Sequence, residues 1–397
     1  MNGRKVRSGS GSANSRILAT IAAALLLCAS GAWGDVFNMP PGLTSLEFVT
    51  VGNPGNGSDP LVASDGTSGY GSVGYVYRMG KFEVTAGQYA EFLNAVGAAD
   101  AYGLYNTEMA NENVLGFIDG CNIIRSGSPG GYTYSVAPDW ANRPVNFVSW
   151  GDAARFANWL TNGQPTGAQD LTTTEDGSYL LNGATTDAEL MAVTRKADAL
   201  YAIPSEDEWY KAAYHKNDGL TANYFRYPTA SDAMPSNDLL DPDPGNNATF
   251  YIPGDTGDDT IGSPYWRTEA GAHENSDSPY GTFDQGGNIA EWDEAVVHPL
   301  RGPSRGMRGG ACLGLGGDMS AGNRLIYDHP TAEFTYAGLR VAMVPEPACG
   351  VLLLLGMVLV PARNGGRRRE CSSGLGEKLA GLAGTTCGTR SHPAPRA

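Results

Sequence analysis

The sequence predicts a loop-rich α+β domain, and three observations carry that reading. Short extended stretches run directly into capped amphipathic helices at three places. Turn formers are abundant, with 54 glycines and 24 prolines in 397 residues, so loops make up much of the chain. Neither an internal repeat nor a linker divides the central part. Hydrophobic residues make up 41% of the chain, enough for a packed core.

The elements follow in order. Residues 35–75 are rich in Gly, Asn and Ser and read as an opening strand with loops. YRMGKFEVTAGQYAEFLNAVG (77–97) begins as a strand from Tyr77 to Val84. Thr85 then caps a helix whose Tyr89, Phe92, Leu93 and Val96 lie at helical spacing. Residues 98–142 read as loop and short strand. RPVNFVSWGDAARFANWLTN (143–162) repeats the pattern: a strand to Val148, Ser149 as cap, and a helix with Ala153, Phe156, Ala157 and Leu160 inward. In YAIPSEDEWYKAAYHK (201–216), Ser205 and Glu208 form a capping box, with Trp209, Ala212 and Ala213 facing the core. Glu206, Asp207 and Glu208 sit in that helix's first turn, where acids complement the dipole and need no catalytic role. Residues 217–282 form a long irregular acidic stretch. The segments 281–295, 305–311 and 336–344 close the domain as turns and strands.

Charge is spread unevenly. Residues 1–34 hold four basic residues and no acid, and 346–397 hold seven basic and three acidic. The body 35–345 keeps 16 basic against 39 acidic residues, a net charge of about −23 at neutral pH. Such a surface repels nucleic acid and anionic membrane. It suits Ca²⁺, a hard cation held by oxygens, or it serves only to keep an exported protein soluble.

Both ends read as processing signals. Arg4, Lys5, Arg7 and Arg16 precede the apolar run ILATIAAALLLCA and the small-residue site Ala32-Trp33-Gly34, the pattern of a secretory signal peptide over 1–34. Cys28 follows three leucines rather than a small residue, which excludes lipoprotein processing. Near the other end, VPEPACGVLLLLGMVLVPARNGGRRR carries an apolar run from Ala348 to Ala362. It is short of the roughly 20 residues of a membrane span. The arginines after it predict a cytoplasmic end and an outward-facing body. The terminal segments thus predict export and a transient membrane association.

Cysteine usage is sparse within the body, where only Cys121 and Cys312 remain. The chain has no C-x-x-C, and its five histidines are scattered without zinc spacing. Whether Cys121 and Cys312 pair is open at this level.

In FDQGGNIAEW, Asp284 and Glu291 flank a Gly-Gly turn. The turn folds the chain back, so two carboxylates and the carbonyls between them converge on one cation. The alternative is a turn with solvated acids and Trp292 as a core anchor. Arg308 and Arg324 read either as anion binders in a ligand groove or, with Arg340, as partners of the many acids.

Five blocks, MGKFEVTAGQYAEFLN, RPVNFVSWGDAARFANWL, IPSEDEWYKAAY, SPYGTFDQGGNIAEW and MRGGA with GLRVA, resemble in order and spacing the formylglycine-generating enzyme family, the sulfatase-modifying factor domain. The resemblance spans about 75–344 and places the body 35–345 in one such domain. It implies a C-type-lectin-like fold, often held together by Ca²⁺. Carried over, it implies calcium on the side chains of Asp284 and Glu291 and the carbonyls of Gly287 and Ile289. It places a second calcium site within 246–260.

The segment 346–369 resembles the PEP-CTERM sorting signal of exported bacterial proteins. That implies contact with sorting machinery and a place at the cell surface, outer envelope or extracellular space. The 28 residues from Glu370 to Ala397 depart from that pattern and read as an unstructured tail.

In aerobic members of the family, two cysteines after the Gly-Gly strand bind Cu(I), which favours two soft thiolates. Here Cys312 is the only cysteine between Gly309-Gly310 and Val344, and it stands where many non-catalytic members carry Trp. Copper is therefore not expected, and Cys312 reads as a small buried residue. The functional expectation is a calcium-stabilised exported binding or structural module, with exopolysaccharide or another exported protein as partner. The alternative is an oxidoreductase that generates formylglycine from a peptidyl cysteine in sulfatases.

Overall fold

Thr85, Ser149, Thr186 and Ser205 each start a helix, and the four helices anchor a loop-rich computed structural model. It describes residues 36–37, 46–111, 120–254, 258–298, 302–324 and 326–345. These fall in one unit, Met1–Gly350. The expected signal peptide, sorting segment and tail lie outside the described residues, as does the second unit, Val351–Ala397. Among the described residues, no helix is long and apolar enough to cross a membrane.

Helix α1 is Ala86–Val96, α2 is Trp150–Thr161, α3 is Asp187–Ala192 and α4 is Glu206–Tyr214. Each opens with a reciprocal box. In α1 the Gln88 amide donates to Thr85 Oγ1 at 3.3 Å, and the Thr85 amide donates to Gln88 Oε1 at 3.0 Å. Asp152, Glu189 and Glu208 play the Gln88 role in the other three, so two orphan donors at each of these four helix starts are satisfied. The inward stripes are those the spacing predicts. Tyr89, Phe92, Leu93 and Val96 of α1 are buried against Ala153, Phe156, Ala157 and Leu160 of α2. The Phe92 and Phe156 rings meet edge-to-face at 5.3 Å, a favoured aromatic geometry. α3 was not expected, although Thr186 and Glu189 spell the same box.

Two sheets complete the scaffold. The first runs Val36–Phe37, Leu46–Val51, Tyr77–Gly80, Ala342–Met343, Tyr201–Ala202, all antiparallel. The second runs Tyr327–Asp328, Ser304–Arg308, Ala290–Val297, Ala337–Gly338, with a parallel last pair. The register slips between Arg305 and Met307, where Gly306 sits against the Asp293 carboxylate. Short ribbons pair Ile123–Ser126 with Thr133–Val136 and Tyr251–Ile252 with Asp258–Asp259.

The expected strand over 143–148 does not form. Pro144 lacks an amide donor and Phe147 takes φ +56°, so the segment keeps one bridge, from Thr85 to Pro144, and no ladder. The strand expected over Tyr77–Val84 ends at Gly80.

Candidate functional site

Two glycine turns build the site. Gly287 has φ +80°, and a Cβ there would lie 2.1 Å from the Thr249 carbonyl oxygen, so only glycine fits. Gly309, at φ +99°, packs against the Gln285 carbonyl and the Trp209 ring. The turns lock together: Gly287 N–H donates to Gly309 O at 2.8 Å, and Cys312 N–H donates to Asn288 O at 3.0 Å.

Beside this junction lies a cleft of about 300 Å³. Its wall includes Ala290, Gly310, Leu313, Asp318, Tyr327 and Tyr336. Tyr336 stacks on Phe334 with ring centres 5.0 Å apart and planes 6° from parallel. Asp318 is oriented by two donors, the Leu315 amide at 2.8 Å and the Asn323 side chain at 3.1 Å. Two tyrosines and one oriented carboxylate residue thus border the cleft.

Cys312 stands next to this cleft without lining it. It is 6% exposed, and burial pushes its thiol up to about 11, so it is protonated at neutral pH. Burial also raises the Cys121 thiol. Both sulfurs are free, and both feel the positive charge of Arg267.

The arginines are occupied. Arg308 is buried and pairs with Glu206 at 2.6 Å, while its Nη1 donates to the carbonyls of Ala321 and Asn323. Arg324 pairs with the same Glu206 at 2.8 Å and with Asp65 at 2.6 Å. Tyr70 lies against both guanidinium groups. The two residues expected in a ligand groove thus form a clamp on Glu206 that ties the first turn of α4 to the end of the glycine-rich loop. Arg340 is fully buried and pairs with Glu291 at 2.7 Å.

Residues 72–344 match the sulfatase-modifying factor enzyme 1-like domain. The chain belongs to this family. Comparison with curated proteins gives no match. Among solved structures, the Treponema denticola variable protein 1 is similar at 17% identity and TM-score 0.46, over 78% of this chain and 98% of that one. The protein CarF is similar at 19% identity and TM-score 0.40, over 76% and 99%. PvdO from Pseudomonas aeruginosa is similar at 17% identity and TM-score 0.41, over 79% and 98%.

Membership in the sulfatase-modifying factor family raises two metals, calcium and copper. For calcium, the Glu291 oxygens accept from Arg340 Nε and Nη2 and from Trp209 Nε1 at 2.6 Å, so Arg340 already neutralises the carboxylate that the resemblance names as a ligand. Asp284 Oδ2 accepts from the Gly271 amide at 2.6 Å. Gly287 turns as expected, and Ile289 is buried beside it. Among the described residues, no three His, Cys, Asp or Glu side chains gather as a metal set, in 246–260 or elsewhere. For copper, which takes two soft thiolates, burial raises the thiols of both Cys121 and Cys312, so an ion held by them would have to displace two protons.

Several site residues escaped sequence reasoning. Arg195 bridges Glu208 at 2.7 Å and Glu294 at 2.9 Å, joining α4 to the Ala290–Val297 strand. Glu83 is 1% exposed, and its carboxylate oxygens have no hydrogen-bond partner from another residue among the described residues. Nothing local signals these partners, which lie far apart in sequence.

Proposed function

We propose that this member of the sulfatase-modifying factor family is an exported ligand-binding module without copper oxidase chemistry. One observation carries the reading: Cys312, the only cysteine between Gly309-Gly310 and Val344, is buried and stays out of the adjoining cleft. The cleft itself suits a hydroxylated ligand. Tyr327 and Tyr336 supply flat faces for the C–H side of a sugar ring, and Asp318 supplies an acceptor for its hydroxyls. An exported polysaccharide has that chemistry, and export is the expectation drawn from both termini. Calcium enters this reading only through the family resemblance.

The direct test is binding to isolated exopolysaccharide, measured by affinity electrophoresis with wild type and Tyr336→Ala. Retardation that is lost in the variant supports the reading, and equal mobility with and without polysaccharide contradicts it.

A second reading, oxidation of a peptidyl cysteine to formylglycine, has one observation in its favour. Cys121 and Cys312 are both free, and both feel Arg267. It requires both sulfurs on one copper ion, a demand that their raised thiols oppose.

A further inference from the structure

We propose that a cavity beside Glu83, away from the cleft, binds an alkylammonium group. The cavity measures about 150 Å³, and its wall includes Glu83, Glu47, Glu269, Asn142, Leu46 and Phe82. Glu83 is 1% exposed, and among the described residues neither of its carboxylate oxygens meets a hydrogen-bond donor from another residue. A buried acceptor of this kind demands a partner.

Among the described residues, several donors of this region are engaged elsewhere. Arg340, whose charge Glu83 feels, gives its bonds to Glu291, Gly80 and Phe283. The start of α1 is equally committed: the Ala86 and Gly87 amides donate to Arg143 and Ala141, and Gln88 donates to Thr85. Lys81 turns to Glu47 at 3.2 Å, over the Phe82 ring. Glu47 thus has Lys81, and Glu269 lies within electrostatic reach of Arg143, while burial and then the Asp284 charge raise the Glu83 carboxyl well above its ordinary range, so a cation arriving there would favour its ionised form.

An ammonium group supplies three donors and one positive charge. Glu83 would take it at depth, and the half-buried Glu47 and exposed Glu269 would draw it in. Leu46 and Phe82 would cover the methylenes, with the Phe82 face favouring the cation as it already does for Lys81. Among the described residues these carboxylates do not gather as a metal set, and the mixed apolar and acidic wall of the cavity suits an alkylammonium group. Such a group belongs either to a free aliphatic amine or to a lysine side chain of a partner.

The test is calorimetric titration of the full chain with pentane-1,5-diamine, Nα-acetyl-lysine methylamide, pentane-1,5-diol and Ca²⁺ alone. The proposal predicts saturable binding of one or both amines and none of the diol. A better fit of the lysine amide than of the diamine assigns the source to a partner's lysine, and the reverse assigns it to a free amine. Glu83→Gln should weaken amine binding about ten- to a hundredfold, the loss expected for removing a charged hydrogen-bond partner. Glu269→Gln, on the exposed rim, should weaken it less and leaves the buried region intact should Glu83→Gln fail to fold. Absence of amine binding, or Ca²⁺ binding abolished by Glu83→Gln without amine binding, would overturn the proposal.

Discussion

Arg340 shows how much one residue holds in this protein. Its guanidinium satisfies Glu291, a carboxylate with no exposure of its own, and reaches the carbonyls of Gly80 and Phe283, which links both sheets. Removing it strands a buried charge. Arg340→Met should lower unfolding free energy by about 3–5 kcal/mol, read as a shift in the urea midpoint at unchanged slope. Arg340→Met combined with Glu291→Leu should recover most of the loss, because the double change removes the charge as well as its partner. A double variant as unstable as the single one would show that Glu291 is not the reason. This pair was half legible: the excess of acids predicts that the arginines are paired, but the partner of Arg340 lies 49 positions away, and spacing says nothing at that distance.

Among the elements, the helices were the most readable because their start signals are local. Thr85, Ser149 and Ser205 each carry the reciprocal partner three residues on, a rule that needs no tertiary context. Strands were less readable, since pairing requires a neighbour from elsewhere in the chain. The 143–148 segment has strand-like composition, yet Pro144 and Phe147 break its ladder.

The loop 329–336 docks onto α2 through acids that composition alone could not pair. Glu333 meets Asp152 there, and burial, followed by the Asp152 charge, pushes its carboxyl up to about 8 from 4.5. The folded state therefore binds that proton more tightly than the unfolded chain. Its contribution to stability is complete below pH 4.5 and is lost as the pH rises through 8. Thermal unfolding should show wild type losing stability between pH 5 and pH 9 more steeply than Glu333→Gln, with the variant the more stable at pH 9. Parallel profiles for the two proteins would contradict the shared proton.

At the scale of the whole molecule, ordered blocks and loop-forming composition made the domain legible, while the site was legible only in outline. The two Gly-Gly turns were visible, and their mutual lock explains why they recur in one chain. The cleft beside them was not, because Ala290, Asp318, Tyr327 and Tyr336 come together only through the second sheet and the loop around it. What separates a binding module from an oxidase on this scaffold is the state of two sulfurs. Cu(I) titration of wild type, Cys312→Ser and Cys121→Ser under a competing chelator decides it. The account predicts weak copper binding that is the same in all three proteins. Tight one-to-one binding in wild type, lost in both variants, would contradict it and make the chain an oxidase.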